Sequence, residues 1–186
     1  MRIIAGTARG RRIEAPEGMH TRPTLDRVRE NLFNILQNRI RDSRVLDLFA
    51  GSGALSLEAL SRGAAHAVLV DSDRNAIRVQ RKNLEQLGMG DKAEVFPCDW
   101  RKAAAELVAQ GRQFDLIFLD PPYRMTDMRE VFSEMEKLTV PDGLVVLEHE
   151  AKTEPVTGEL FEKTDERHWG YCGISFFRKR EIRADQ

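Results

Sequence analysis

From residue 44 onward the chain alternates short apolar runs with stretches of helical spacing, and this alternation limits the fold more than any other feature. RVLDLFA is followed by GALSLEALSRG, AVLVD by RNAIRVQRKNLEQLG, AEVFPCD by a short helix through Leu107, and then comes FDLIFLD. Buried strands separated by helices predict a parallel sheet covered on both faces. GLVVLEHE reads as a fifth strand. The extended segments around FEKTDERHW and GISFFRKR follow without a full helix between them and are expected to pair antiparallel at the sheet edge. The expected fold is α/β, a doubly wound, mostly parallel, seven-stranded sheet.

The 186 residues, 41% of them hydrophobic, suffice for one well-packed core with a small appendage. A net charge of -1 hides an uneven distribution: residues 1–44 hold ten arginines, no lysine and five acids, hence +5 against -6 for the remainder. The basic segment is a candidate anion-binding arm. RIIA (2–5) and RRIE (11–14) can form a hairpin around Gly6 and Gly10 that presents Arg9, Arg11 and Arg12. Thr24 can cap a helix running to about Arg41, with Leu25, Val28, Leu32, Ile35, Leu36 and Ile40 inward and Arg27, Arg29 and Asn34 solvated. Residues 1–42 are therefore expected to form a basic hairpin and helix extension on a domain of residues 43–186, the whole a single structural unit.

The start MRIIAGTARGRR has no apolar core of signal-peptide length, and no later run approaches the roughly 20 apolar residues that span a bilayer, so a cytoplasmic protein is expected. Cys98 and Cys172 are far apart without partners at zinc-ligand spacing, and the four histidines form no ligand pattern; free thiols and no metal are expected.

In open α/β sheets the ligand sits beyond the carboxyl ends of the strands. The first strand runs into VLDLFAGSGAL, where Gly51 and Gly53 let the backbone pass close to a ligand at the start of a helix. A G-x-G pair also occurs in ordinary turns. Here Asp47 would repel a pyrophosphate, and Ser56 stands where the dinucleotide fingerprint has its third glycine. The second strand ends in Asp71, 20 residues after Gly51, placed to accept from ribose hydroxyls; Asp73 competes for that role. After the third strand Asp99 could accept from an adenine amino group and Trp100 cover the ring, or Asp99 could cap a helix and Trp100 belong to the core.

The fourth strand stops on Asp120-Pro121-Pro122-Tyr123. The prolines end the strand and hold their carbonyls in a narrow range of directions. An ionised Asp120 and the Pro121 carbonyl are both acceptors, and two adjacent acceptors match an exocyclic amine with its two hydrogens. Held out of the ring plane, those hydrogens pull the nitrogen towards a tetrahedral form and free its lone pair. Tyr123 can stack on the base, for roughly 1–3 kcal/mol, as in enzymes that take a base out of its stack.

VLDLFAGSGALSLEALSRGA, the strand-end Asp71 and FLDPPY resemble the class I S-adenosylmethionine-dependent amino-methyltransferases, whose fold is Rossmann-like. RIIAGTARGRR with TRPTLDRVRENLFNIL is similar, more narrowly, to the RsmD family, the bacterial guanine-N2 methyltransferases of small-subunit ribosomal RNA. The resemblance spans Arg2 to about Glu148. It implies S-adenosylmethionine as cofactor, bound by Asp47, Phe49, Ala50, Gly51, Ser52, Gly53, Asp71, Ser72, Asp99 and Trp100, with Asp120, Pro121, Pro122 and Tyr123 catalytic and no metal. Family members commonly carry glutamate where Asp71 stands. The implied partner is small-subunit ribosomal RNA, within an assembled or assembling subunit, met by Arg9, Arg11, Arg12, Arg22, Arg27 and Arg29 through phosphate contacts; some of these arginines could instead pair with Asp26 or Glu30. A DNA adenine amino-methyltransferase would share the catalytic core, a nucleotide-dependent oxidoreductase only the first two strand ends, and a non-catalytic RNA-binding module only the arm.

Overall fold

The computed structural model describes residues 1–18 and 23–181, with the side chains of residues 23–25 outside the description. Its strands are β1 (Arg44–Asp47), β2 (His66–Val70), β3 (Ala93–Phe96), β4 (Phe114–Leu119), β5 (Thr139–Glu150), β6 (Phe161–Trp169) and β7 (Cys172–Lys179). They form one seven-stranded sheet in the order β3-β2-β1-β4-β5-β7-β6. The first five pair in parallel, and β7 runs antiparallel to both β5 and β6. This is the expected doubly wound, class I methyltransferase-like fold.

Successive side chains of a strand leave the sheet on opposite faces. Val45, Leu69, Leu116 and Phe118 pack on one face against α1 (Pro23–Ile40), α2 (Ala54–Ser61) and α3 (Arg74–Gln86). Leu46, Val68, Val70, Ile117 and Leu119 pack on the other against α4 (Trp100–Ala109) and α5 (Arg129–Leu138). The sequence reading left residues 124–142, and so α5, unassigned. Val131, Phe132, Met135 and Leu138 give α5 its buried face, and Phe132 meets Phe161 and Phe177 edge-on at 5.3 and 4.9 Å between ring centroids, fastening the antiparallel hairpin to the helix.

The amino-terminal segment shares this core. Ile3 and Ile13 are buried in the same cluster as Val28, Leu32, Phe33, Leu36 and Ile40 of α1. The expected hairpin is reduced to one antiparallel bridge, Arg2↔Arg12, flanked by Ile3 N–H to the Arg11 carbonyl at 2.9 Å and Ile13 N–H to the Met1 carbonyl at 3.0 Å. Helix α1 starts at Pro23, whose fixed φ suits a first helical position, so Thr24 falls inside the first turn rather than ahead of it. Ile35 is 38% exposed while Phe33 is fully buried, because the inward stripe runs through residues 29, 33, 36 and 40. No helix of the described residues is long and apolar enough to cross a membrane.

Candidate active site

The strand order runs outward from the neighbours β1 and β4 in both directions, so the loops after these two strands diverge and leave a crevice over their carboxyl ends. A cleft of ≈ 450 Å³ lies there. Its wall includes Phe49 and Gly51 after β1, Asp71 and Ser72 after β2, Asp99 and Trp100 after β3, and Asp120, Pro121 and Pro122 after β4.

Only part of the glycine loop faces this cleft. Ala50 donates its N–H to the Val70 carbonyl at 2.9 Å, and the Ser52 carbonyl accepts from Asn83 Nδ2 at 3.2 Å. Gly53 caps α2 at φ 83, and a Cβ there would lie 2.8 Å from Leu69 Cδ2. The loop folds down onto β2 and α3 to start the helix, with Gly51 in the cleft wall and Ala50, Ser52 and Gly53 outside it. Their work in the fold is to bring α2 close to the sheet.

Asp47 lies beneath the loop, 1% exposed. Its Oδ2 accepts from Ser56 Oγ at 2.8 Å, which explains a serine at the position of the third glycine, while its Oδ1 has no partner. Burial pushes the Asp47 pKa up to about 7, and the charge of Asp71 adds to the rise.

Asp71 accepts from the N–H groups of Gly51 and Asp73, each at 2.9 Å. Asp73 instead caps α3 through Asn75 N–H at 3.0 Å and is absent from the cleft wall, so of the two candidate aspartates Asp71 alone is in place. Its oxygens keep further lone pairs for a ligand. At the next strand end the helix-cap and core readings are met, and both residues also face the cleft. Asp99 caps α4 through Arg101 N–H at 2.9 Å and also lines the cleft. Trp100 belongs to the core, under the Arg101 guanidinium at 4.8 Å from its ring, and lines the cleft as well.

Asp120 stands one residue beyond the register pair Leu119↔Leu147, which puts Glu148 of β5 beside it. Glu148 Oε1 accepts from the Cys172 thiol of β7 at 3.2 Å. Enclosure by protein raises the Asp120 pKa well above the usual carboxylate range, and the charges of Glu148 and Asp47 push the same way. Asp120 is nevertheless open to the cleft, where water screens part of the rise. Burial raises Glu148 too, opposed by hydrogen bonds from Cys172 and Asp120 and by the nearby His149. Both carboxyls are raised and share a hydrogen bond, so the pair holds a proton more tightly than two separate carboxylates would. This corrects the picture of Asp120 as a lone ionised carboxylate. Glu148 is the residue that sequence reasoning missed, although asking what the fifth strand end offers would have found it.

Pro121 and Pro122 line the cleft on one side and, on the other, a narrow hollow of ≈ 10 Å³ shared with Tyr123 and Glu148. Tyr123 is 45% exposed at its mouth, and burial, then the Glu148 charge, raise its hydroxyl pKa. Among the expected phosphate-binding residues, Arg9, Arg11, Arg12 and Arg27 are exposed; Arg11 also reaches the Gln86 carbonyl at 2.6 Å. Arg29 is not available. It is 5% exposed, 3.4 Å from Asp26 and 3.7 Å from the fully buried Glu58, and it donates to the Arg2 carbonyl. Glu58 also accepts from the N–H groups of Ile4 and Ala5, so Arg29 helps bind the amino terminus to α2. Arg22 lies outside the described residues.

The family described as Conserved hypothetical protein 95 matches residues 1–178. The chain belongs to that family. Within reach of it is YlbH of Bacillus subtilis, carried as a candidate rRNA methyltransferase, 37% identical over 97% of this chain and 100% of that protein. The Escherichia coli protein named ribosomal RNA small subunit methyltransferase D is 43% identical over 73% of this chain and 67% of its own length. A solved E. coli structure described as a candidate methyltransferase, yhhF, superposes with a TM-score of 0.82 at 36% identity, covering 98% of this chain and 99% of that one. These relatives agree with the RsmD-family resemblance carried by the sequence.

Proposed function

We propose that the chain transfers a methyl group from S-adenosylmethionine to the exocyclic amine of a guanine in small-subunit ribosomal RNA, in the bacterial cytoplasm. The observation that carries this reading is the Asp120-Pro121-Pro122-Tyr123 turn, whose prolines divide the acidic cleft from the Tyr123 hollow. A cofactor bound on the cleft side and a base held at the mouth of the hollow would meet across it. The names of the E. coli and Haemophilus influenzae relatives, ribosomal RNA small subunit methyltransferase D, support the substrate.

The residues present fit a cationic cofactor. The unpartnered Asp47 Oδ1 suits an ammonium group, and the mutual repulsion of Asp47, Asp71 and Asp120 is relieved by positive charge and aggravated by a pyrophosphate. Asp71 would take the ribose hydroxyls, Ser72 would lie beside them, and Asp99 with Trp100 would hold the adenine. Phe49 and Gly51 complete that wall. Bound S-adenosylmethionine supplies an electrophilic methyl on its sulfonium.

Alignment of the amine is the work of the chain. Asp120 and the Pro121 carbonyl accept the two amine hydrogens, Tyr123 fixes the plane of the base, and the nitrogen lone pair is left facing the cleft. Positioning of this kind lowers a barrier by several kcal/mol, up to roughly 7–11 in well-oriented systems. The proton shed by the amine leaves to water on the exposed side of Asp120. Arg9, Arg11, Arg12 and Arg27 would add phosphate contacts. Asp120→Ala tests the assignment: transfer of labelled methyl to small subunits should fall at least about 100-fold, with S-adenosylhomocysteine affinity unchanged. Undiminished transfer would sink it.

A further inference from the structure

We propose that Glu148 determines the base specificity of this site: its carboxylate, held beside Asp120 by the Cys172 thiol, accepts the N1–H that guanine carries next to its exocyclic amine and that adenine lacks. This rests on the amine-methylation reading above and extends it to a residue outside the Asp120–Tyr123 turn.

The Watson–Crick edge of guanine offers N1–H and the two hydrogens of the C2 amine, three donors in a row. Adenine offers two amine hydrogens next to a bare N1 lone pair. The ends of β4 and β5 carry acceptors on both sides of the proline turn, the Asp120 carboxyl on the cleft side and Glu148 on the hollow side, with Pro121 lining both. Register places the carboxyls side by side, since each follows directly on a member of the pair Leu119↔Leu147. Glu148 lines the hollow with Pro121, Pro122 and Tyr123, and the hollow is too narrow for a base, so a base rests at its mouth against the exposed Tyr123 ring with its polar edge towards Glu148.

Which carboxyl carries the charge decides which base is accepted. A protonated Glu148 would donate to N1 of adenine, whereas an ionised one accepts from N1 of guanine and repels the adenine lone pair. Cys172 donates to Oε1 at 3.2 Å, Asp120 bonds to Glu148 from the other side, and His149 is nearby. All three favour the charged form of Glu148 against burial, which raises its pKa overall. Its remaining lone pairs are left for the base.

The test compares target nucleotides that present the same amine. RNA carrying guanine or 2-aminopurine at the methylated position is offered to the unsubstituted chain and to Glu148→Gln; 2-aminopurine keeps the C2 amine but has a bare N1. The unsubstituted chain should prefer guanine by roughly 10- to 100-fold in kcat/KM. Glu148→Gln should lose that factor on guanine and none on 2-aminopurine, bringing the two within a few-fold, with S-adenosylhomocysteine affinity unchanged. Cys172→Ala, which keeps the carboxylate but frees it, should lower the guanine preference by a smaller factor. An equal fall on both bases, or an intact guanine preference in both variants, would overturn the assignment. Failure of the unsubstituted chain to methylate guanine would overturn the activity and this assignment together, and is visible before any substitution is made.

Discussion

Asp47→Asn removes a titration that the fold holds under strain. Asp47 is 1% exposed with its pKa raised from 3.8 to about 7. A folded-state pKa above the unfolded value means that the native chain binds more protons. The group's contribution to stability is therefore complete below the unfolded pKa and lost as pH rises through about 7. At about 1.4 kcal/mol per pKa unit, the loss comes to roughly 4 kcal/mol. Asparagine keeps an acceptor for Ser56 Oγ but sets an N–H₂ group where Oδ1 had no partner, at a cost of about 1–3 kcal/mol at any pH. The substituted chain should be the less stable of the two near about pH 4 and the more stable near about pH 8, the difference shifting by roughly 4 kcal/mol between them. Urea denaturation across that range measures this directly. Parallel stability curves would refute the reasoning. On the proposed placement of the cofactor, the same substitution should weaken S-adenosylhomocysteine binding roughly 10-fold or more, because the ammonium would lose its counter-charge. A chain that is sturdier above neutral pH and binds worse is what a charge kept for a ligand produces.

Arg29→Ala should cost roughly 3 kcal/mol in urea denaturation, since it strips a partner from the buried Glu58, and leave RNA affinity unchanged while the chain is folded. Replacing Arg9 and Arg12 by Ala should have the opposite profile, with stability kept and RNA binding weakened; titration at several salt concentrations should show a slope flatter by about 0.7–0.9 per lost phosphate contact. Equal loss of cofactor affinity would instead make those arginines supports of the fold.

The parallel strands were legible because strands covered on both faces must be apolar throughout, and the rule that ligands gather at their carboxyl ends led to Asp71, Asp99 and Asp120. Glu148 escaped because an acid near the end of GLVVLEHE reads as the solvated tip of a strand. Its meaning depends on the β4–β5 register and on Cys172, which lies on a different strand. Arg29 escaped for a similar reason. On helical spacing alone it is one more surface arginine, and only the arrival of α2 gives it Glu58 as a neighbour. The glycine loop was legible from its spacing, but the packing reason for Gly53, a Cβ there lying 2.8 Å from Leu69 Cδ2, appears only once β2 is in place. Helix α5 follows the proline turn, where attention to the chemistry of Asp120 displaced attention to the spacing of Val131, Phe132, Met135 and Leu138.

Methyl transfer to a guanine amine in ribosomal RNA is the activity proposed for this chain. Its most direct test offers labelled S-adenosylmethionine with naked small-subunit RNA, small subunits and duplex DNA, then digests each to nucleosides. Label should appear as N2-methylguanosine from ribosomal RNA, with none from DNA. Label found only as methyladenine in DNA, or in no nucleoside at all, would contradict it.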